Sequence, residues 1–409
     1  MTTAPVTSAA PASTGAARRR IGVGLVGFGW LGQAHSRSLQ RIPTLFAERE
    51  FDPELVICSD AVAGRVEDAV GSFGYARGTT DWRAVMDDPA VDVVFIAAPN
   101  MLHLELIEAA AQAGKHVFCE KPVGGTPEQT VRAECAARRA GVITGVGYNY
   151  RWAPLVRYAS QLIADGRLGE ITNYRGRFFS TYGSDPLGLL SWRFLVEEGG
   201  YGATSDLLSH SVDLAHMLIG PIARVSGTTA TFIAERPVAT DSARPPSHYG
   251  RGAPGDPRGA VTNEDYVGML CEFAGGARGT FEASRTIVGP ESQMAFDAYG
   301  TRGAVGWNLE RMNELQVYLA EDEAHSGYRT VFGGDRFPYH GHFVPGSANG
   351  IGFEDLVAIE DYEFCRAIVE GRPFAPGFGE AVEWVSVQAA LLRSAQTGAW
   401  QDVVSLRED

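Results

Sequence analysis

The chain has 409 residues, too many for one simple hydrophobic core, and its length predicts two domains or three. A hydrophobic share of 45% with 21% charged residues is that of a soluble globular protein, and a net charge of −14 argues against a basic nucleic-acid groove. Five scattered cysteines, none in a C-x-x-C pair, leave no disulfide frame or thiolate zinc site. His340 and His342 form an isolated H-x-H without nearby acidic or thiol partners, so no metal is expected.

Residues Met1 to Ala17 are rich in Ala, Thr, Ser and Pro, and a disordered tail is expected over 1–20. Arg18-Arg19-Arg20 before an apolar run looks like the start of an export signal. That run leads into Gly27, Gly29 and Gly32, whose G-x-G-x-x-G spacing is that of a dinucleotide fingerprint, so cleavage after it would destroy the site. No stretch approaches the ~20 apolar residues of a membrane span. A cytoplasmic protein without membrane contacts is the expectation.

From Ile21 to about Asn149 strands and helices alternate. Ile21–Val26 reads as a buried strand, and Gly27, Gly29 and Gly32 follow with G-x-G-x-x-G spacing at the start of a helix. In that pattern the first glycine permits the tight turn, the second lets backbone approach a pyrophosphate, and the third lets helix pack on strand. Leu55–Asp60 is a strand ending in an acid, followed by a helix to Val70. Asp60 lies 33 residues past Gly27 rather than the usual ~20, a gap that an insertion over Pro43–Pro53 would explain. A carboxylate there accepts ribose hydroxyls and repels a 2′-phosphate, which favours NAD over NADP. Arg65, within the following helix, is expected to face solvent. Strands at Val91–Pro99, Lys115–Pro122 and Val142–Gly147 alternate with helices at Leu102–Ala113 and Pro127–Ala140, which predicts a doubly wound parallel sheet.

Beyond Tyr148 the rhythm changes. A helix over Pro154–Asp165 precedes period-two segments at Ile171–Phe179, Arg224–Ile233, Tyr266–Phe273, Ala277–Thr286 and Ser292–Tyr299, with a hairpin turn at Ala274-Gly275-Gly276. These predict a mainly antiparallel sheet with helices on one face. Glu235–Ala260, rich in Pro, Gly and Arg, reads either as a rim of the active site or as a surface insertion. Phe353–Glu370 and Glu380–Thr397 read as helices. The fold class is therefore α/β: an N-terminal Rossmann domain over 21–149, and an α+β domain over 150–409 with a large open sheet.

Set beside the glycine turn, Asp60, Pro99-Asn100 with His103, Glu120-Lys121-Pro122, Asn149-Tyr150-Arg151-Trp152, Trp192-Arg193 and the run from Asp206 through His210 to Asp213 give the chain its resemblance to a known group. It resembles the Gfo/Idh/MocA oxidoreductases from Ile21 to the C-terminal helices. The resemblance implies NAD(P)-dependent oxidation of a sugar or cyclitol hydroxyl to a ketone, in a homo-oligomer (dimer or tetramer). It implies cofactor contacts from Gly27, Phe28, Gly29, Trp30, Leu31, Gly32, Asp60, Pro99, Asn100, His103, Glu120, Lys121, Asn149, Trp192 and Arg193. It implies substrate contacts from Lys121, Tyr150, Arg151, Asp206 and His210.

Lys121 precedes a proline, which favours an extended conformation and projects its ammonium into the crevice, where it can stabilise a developing alkoxide. Asp206, His210 and Asp213 fall on one helix face. A neutral imidazole suits an alcohol proton, and a carboxylate one turn away can fix its tautomer; the resemblance makes His210 the base. The stretch Gly352–Leu356 is similar to members acting on anhydrosugars such as levoglucosan or on glycosides, implying oxidation at C3. Inositol oxidation, glycoside hydrolysis through tightly held NAD, and a sugar-responsive regulator without catalysis are the other readings.

Overall fold

A computed structural model describes residues 18–239, 250–320 and 326–407. Strand and helix alternate from the start: β1 (Arg19–Val26), α1 (Trp30–Leu45), β2 (Phe51–Ser59), α2 (Ala63–Gly71), β3 (Arg77–Thr79), α3 (Arg83–Asp87), β4 (Val93–Ile96), α4 (His103–Gln112), β5 (His116–Cys119), α5 (Pro127–Ala140) and β6 (Thr144–Val146). The six strands are parallel, in the order β3-β2-β1-β4-β5-β6. Ile21–Val26 and Val93–Ile96 are buried along their whole length, as strands covered on both faces must be. Helix α5 shows why such boundaries can be read. Thr126 Oγ1 accepts from Gln129 N, Pro127 occupies the first turn, and Gly141 closes the helix at φ 68°.

Two boundaries differ from expectation. β1 begins at Arg19, which pairs with Phe51, so Arg19 and Arg20 are strand residues rather than part of a disordered tail; residues 1–17 lie outside the described residues. Pro43–Pro53, expected as an insertion, carries the last turn of α1 and the first residues of β2. Helix α1 runs through Pro43, which forfeits the N–H bond to Leu39 O, and Pro53 lies inside β2 before β3 pairs at Ile57, where the strand edge is open.

The chain continues as α6 (Pro154–Ala164), β7 (Ile171–Ser180), the short α7 (Val196–Gly199), a π-helical turn at Thr204–Leu208 leading into α8 (Ser209–Leu218), β8 (Ile222–Ala230), β9 (Glu235–Pro237) and β10 (Arg258–Ala260). It ends with β11 (Tyr266–Phe273), β12 (Arg278–Ser284), β13 (Ser292–Gly300), β14 (Gly303–Asn308), β15 (Glu314–Leu319), β16 (Arg329–Phe332), α9 (Phe353–Glu370), α10 (Phe378–Thr397) and β17 (Gln401–Asp402). Nine strands form one sheet, β16-β15-β14-β13-β7-β12-β11-β8-β17, antiparallel except where β12 pairs with β7. Helices α6, α8 and α10 cover one face around Leu155, Leu214, Trp384 and Leu391. The 235–260 segment is a two-stranded hairpin, β9 with β10, pinned to residues 187–190; its middle, 240–249, lies outside the described residues.

Helix α9, although late in sequence, packs on the six-stranded sheet, where Ile359, Phe364 and Cys365 join Val23, Phe95 and Phe118 in one cluster. The two sheets are thereby tied across the cleft in which the functional residues gather.

Candidate active site

The cleft opens at the carboxyl ends of β1, β2, β4 and β5. Gly27 has φ 97°, and a Cβ there would lie 2.6 Å from the backbone of Ala97. A Cβ on Gly32 would meet Gly27 O at 2.0 Å, so α1 can pack on β1 only through glycine. At Gly29 nothing lies within 4 Å of an added Cβ. That position faces open space at the helix N-terminus, where unpaired N–H groups point outward and no side chain caps them.

The Asp60 carboxylate ends β2 as expected, but it also works locally: Oδ2 accepts from Phe28 N at 2.7 Å and Oδ1 from Val62 N at 2.9 Å. Phe28 itself is fully buried against Phe73 and Tyr75, so only its backbone serves the turn. Arg65 lies in α2 and is half-exposed, as expected, yet its Nη1 lies 3.4 Å from Asp60 Oδ2 and it borders the cleft. His103 is buried with Nδ1 2.7 Å from Pro122 O and Nε2 2.8 Å from Ala98 O, stapling the two proline turns on either side of it. Asn100 Nδ2 donates to Gly199 O at 2.9 Å and joins the cleft wall to α7.

These residues border a cavity of about 670 Å³ running from Asp60 and Arg65 past Gly29, Pro99 and Asn100 to Lys121, Trp192 and Arg193. A second cavity of about 360 Å³ continues from it, sharing Trp30, Leu31, Glu120, Lys121, Arg193 and Asp206, and adding Asn149, Tyr150, Tyr182 and His210. Lys121 and His210, from opposite halves of the molecule, therefore face one space. The lining is mixed: beside its polar groups stand Trp30, stacked on Phe353 at 5.3 Å, Phe178 and Leu309.

Asp206 is the hub. Its Oδ1 and backbone carbonyl each accept from Lys121 Nζ at 2.8 Å, its Oδ2 accepts from Tyr182 Oη at 2.8 Å, and Arg193 Nη1 lies 3.4 Å from Oδ1. Burial works to raise the Asp206 pKa, but the charges of Lys121 and Arg193 and the bonds from Lys121 and Tyr182 hold it far below the ordinary carboxylate range. The carboxylate thus orients Lys121 rather than the imidazole, contrary to the helix-face reading. The π-helical turn over Thr204–Leu208 re-aims Asp206 relative to the α-helical His210.

His210 is 5% exposed, ringed by Tyr148, Tyr150 and Phe178. Its Nδ1 is buried without a hydrogen-bond partner, so the ring can reach the cavity's contents only through Nε2. Burial first, and the nearby Lys121 charge second, push its pKa well below the usual histidine value; Asp206 opposes them. The shift favours the neutral imidazole, the form that can accept a proton.

Two expected members stand apart. Arg151 is buried in an ion pair with Asp213 and does not border either cavity, because its guanidinium is spent on that carboxylate. Asp213 accordingly does not join His210. Tyr182, missed from sequence, enters the site as the second donor to Asp206; a lone tyrosine just after β7 carries no motif that would mark it. His340 and His342 bond backbone carbonyls of Asn349 and Leu45, and among the described residues no group of three His, Cys, Asp or Glu side chains is placed to hold a metal. All five cysteines are free and buried. No helix among the described residues is long and apolar enough to cross a membrane.

The open position at Gly29, the uncapped helix N-terminus and the acid at the end of β2 fit a dinucleotide along the larger cavity. Fold and site define a nicotinamide-dependent oxidoreductase. Residues 21–148 match the model of the oxidoreductase family with an NAD-binding Rossmann fold, and residues 156–306 match the GFO/IDH/MocA C-terminal domain. The chain belongs to the Gfo/Idh/MocA oxidoreductase family, and its N-terminal domain binds NAD.

It is 36% identical over 386 residues to levoglucosan dehydrogenase of Pseudarthrobacter phenanthrenivorans, covering 94% of this chain and 98% of that protein. It is 29% identical over 299 residues to scyllo-inositol 2-dehydrogenase (NAD(+)) of Bacillus subtilis, covering 73% and 76%. A solved levoglucosan dehydrogenase in complex with NADH and levoglucosan superposes with a TM-score of 0.88 at 35% identity, covering 94% of this chain and all of that one.

Proposed function

We propose that the protein oxidises a secondary hydroxyl of an anhydrosugar or glycoside, at C3 of a glucose-like ring, with levoglucosan as the first candidate. NAD, when bound, supplies the hydride acceptor. Lys121 donates a hydrogen bond to the reacting oxygen and stabilises negative charge as it develops. His210 takes the hydroxyl proton through Nε2. Asp206, with Tyr182 and Arg193, fixes the ammonium of Lys121 and borders the substrate itself.

The observation that carries the reading is the shared cavity between Lys121 and His210 beside the nucleotide cleft. Its mixed lining supports a polyhydroxylated ring, which offers both hydroxyl groups and apolar carbon–hydrogen surface. Similarity to levoglucosan dehydrogenase over nearly the whole chain supports the same substrate class. The test is a panel of levoglucosan, simple glucosides and myo- and scyllo-inositol with NAD, followed by NADH absorbance. Turnover fastest on levoglucosan or a glucoside is expected; turnover confined to the inositols would overturn the substrate assignment.

A further inference from the structure

Behind the site, and lining neither cavity, lie three buried polar residues: Asn263, Asp265 and Arg285, exposed by 4%, 0% and 0%. Arg285 Nε donates to Asp265 Oδ1 at 2.8 Å, and Nη2 to Asn263 Oδ1 at 2.8 Å. Asp265 Oδ2 accepts from the N–H groups of Phe232 and Ile233 at 2.8 and 3.0 Å. A guanidinium and a carboxylate this deep are tolerated only when their hydrogen-bonding capacity is used. Here the capacity left over is spent on two backbone segments that enter the site.

The first segment is the turn at Trp192–Phe194. The carbonyl of Arg193 accepts from Asn263 Nδ2 at 3.0 Å and from Arg285 Nη1 at 3.1 Å. The Phe194 ring lies beneath the Arg285 guanidinium, 4.5 Å from its centre. The second is the approach to Asp206. Asn263 Nδ2 also donates to Gly200 O at 2.8 Å, and Glu264, between Asn263 and Asp265, accepts from Ala203 N at 2.9 Å and Thr204 N at 2.8 Å. Gly202 fits only as glycine: a Cβ there would lie 2.0 Å from Glu264 O and 2.9 Å from Arg285 Nη1. One turn on, Asp206 N donates to Gly202 O.

We propose that Asn263, Asp265 and Arg285 form a positioning cluster that sets the distance between Arg193 and Asp206 and so fixes the charge environment of Lys121. This rests on the dehydrogenase reading for its catalytic consequence, but not for its geometry. None of the three touches substrate or cofactor; they act through the backbone of residues 193 and 200–206.

The experiment is a double-mutant cycle between Asn263→Ala and Arg193→Ala in the full chain, reading NADH dissociation constant, kcat and KM. Asn263→Ala removes the donors to both carbonyls, and is expected to lower kcat roughly tenfold, the worth of about one good hydrogen bond in rate terms, with KM for the sugar changed less than twofold. In the Arg193→Ala background the same substitution is expected to cost less than twofold. A full tenfold loss in both backgrounds, or no change in kcat and NADH affinity in either, would overturn the proposal. Asn263→Asp, which keeps the acceptor for Arg285 but not the amide donors, repeats the cycle if the alanine variant does not fold. Were no sugar oxidised at all, the NADH affinities alone would still decide: coupled effects support the cluster and independent or absent effects refute it.

Discussion

Replacing Asp206 by asparagine is the sharpest single perturbation, because it keeps the shape while removing the charge and one acceptor. In the native site the carboxylate receives Lys121 at 2.8 Å, Tyr182 at 2.8 Å and Arg193 at 3.4 Å. Asparagine offers one acceptor oxygen instead of two and leaves two cations facing each other. A hydrogen bond to a charged group is worth about 1.5–3 kcal/mol, and solvent still reaches a fifth of this side chain, so we expect about 1–3 kcal/mol of lost stability. The pH dependence gives the sign. The folded-state pKa of Asp206 is depressed, so its contribution is present above the unfolded value near 4 and lost as pH falls through the folded one. Denaturant midpoints should therefore separate the variant from the native protein at neutral pH and converge in strong acid. For catalysis, a mispositioned ammonium should lower kcat by roughly 10²–10³, with NADH affinity reduced far less. A variant within twofold of native kcat would refute the assigned role of the carboxylate in orienting Lys121.

Other outcomes follow from the same geometry. Gly29→Val should weaken NADH binding severely while leaving the melting temperature unchanged, because its side chain would enter open cleft at an ordinary φ of −74°; Gly32→Val should instead fail to fold. The His210 pKa is depressed, so the neutral base persists below the ordinary value, and the acid limb of kcat/KM should fall well under pH ~6.5; a limb centred there would contradict the burial argument. His35 is buried with Asp361 on Nδ1 at 2.9 Å and Glu120 on Nε2 at 3.1 Å; burial opposes its charge, but those carboxylates raise its pKa well above normal. Its stabilising contribution is thus complete below pH ~6.5 and lost as pH rises through the folded value, and His35→Asn should flatten that alkaline loss in thermal melts. Asp60→Ser, by removing the acceptor beside Arg65, should shift preference toward NADP and also loosen the Phe28 turn; unchanged NAD-to-NADP selectivity would refute the carboxylate's role.

The parallel half of the fold was legible because its signals are local: glycine and proline punctuation, apolar runs of strand length, and an acid at a strand end. The same holds for β7, β11, β12 and β13, whose faces alternate. β14 is buried along nearly its whole length and carries two glycines, so period two is absent; β16 and β17 are short, whereas β15 alternates over six residues and was equally legible, though it falls outside the predicted strands. Glycine spacing and the Lys121–Pro122 step pointed to the cleft without knowledge of its far wall. What spacing could not convey is where a side chain spends its hydrogen bonds. Arg151 and Asp213 neutralise each other away from the cavity. Asp206 gives its carboxylate to Lys121, Tyr182 and Arg193 rather than to His210, across a π-helical turn that an i to i+4 count does not reveal. Tyr182 and the Asn263–Arg285 cluster become visible only once distant strands meet.

The most direct test of the account is NADH formation from NAD by the purified native protein with levoglucosan, alongside Lys121→Ala and His210→Asn. The account predicts steady NADH accumulation by the native protein and its near-complete loss in both variants, while each variant still binds NADH. Undiminished turnover in either variant would contradict it.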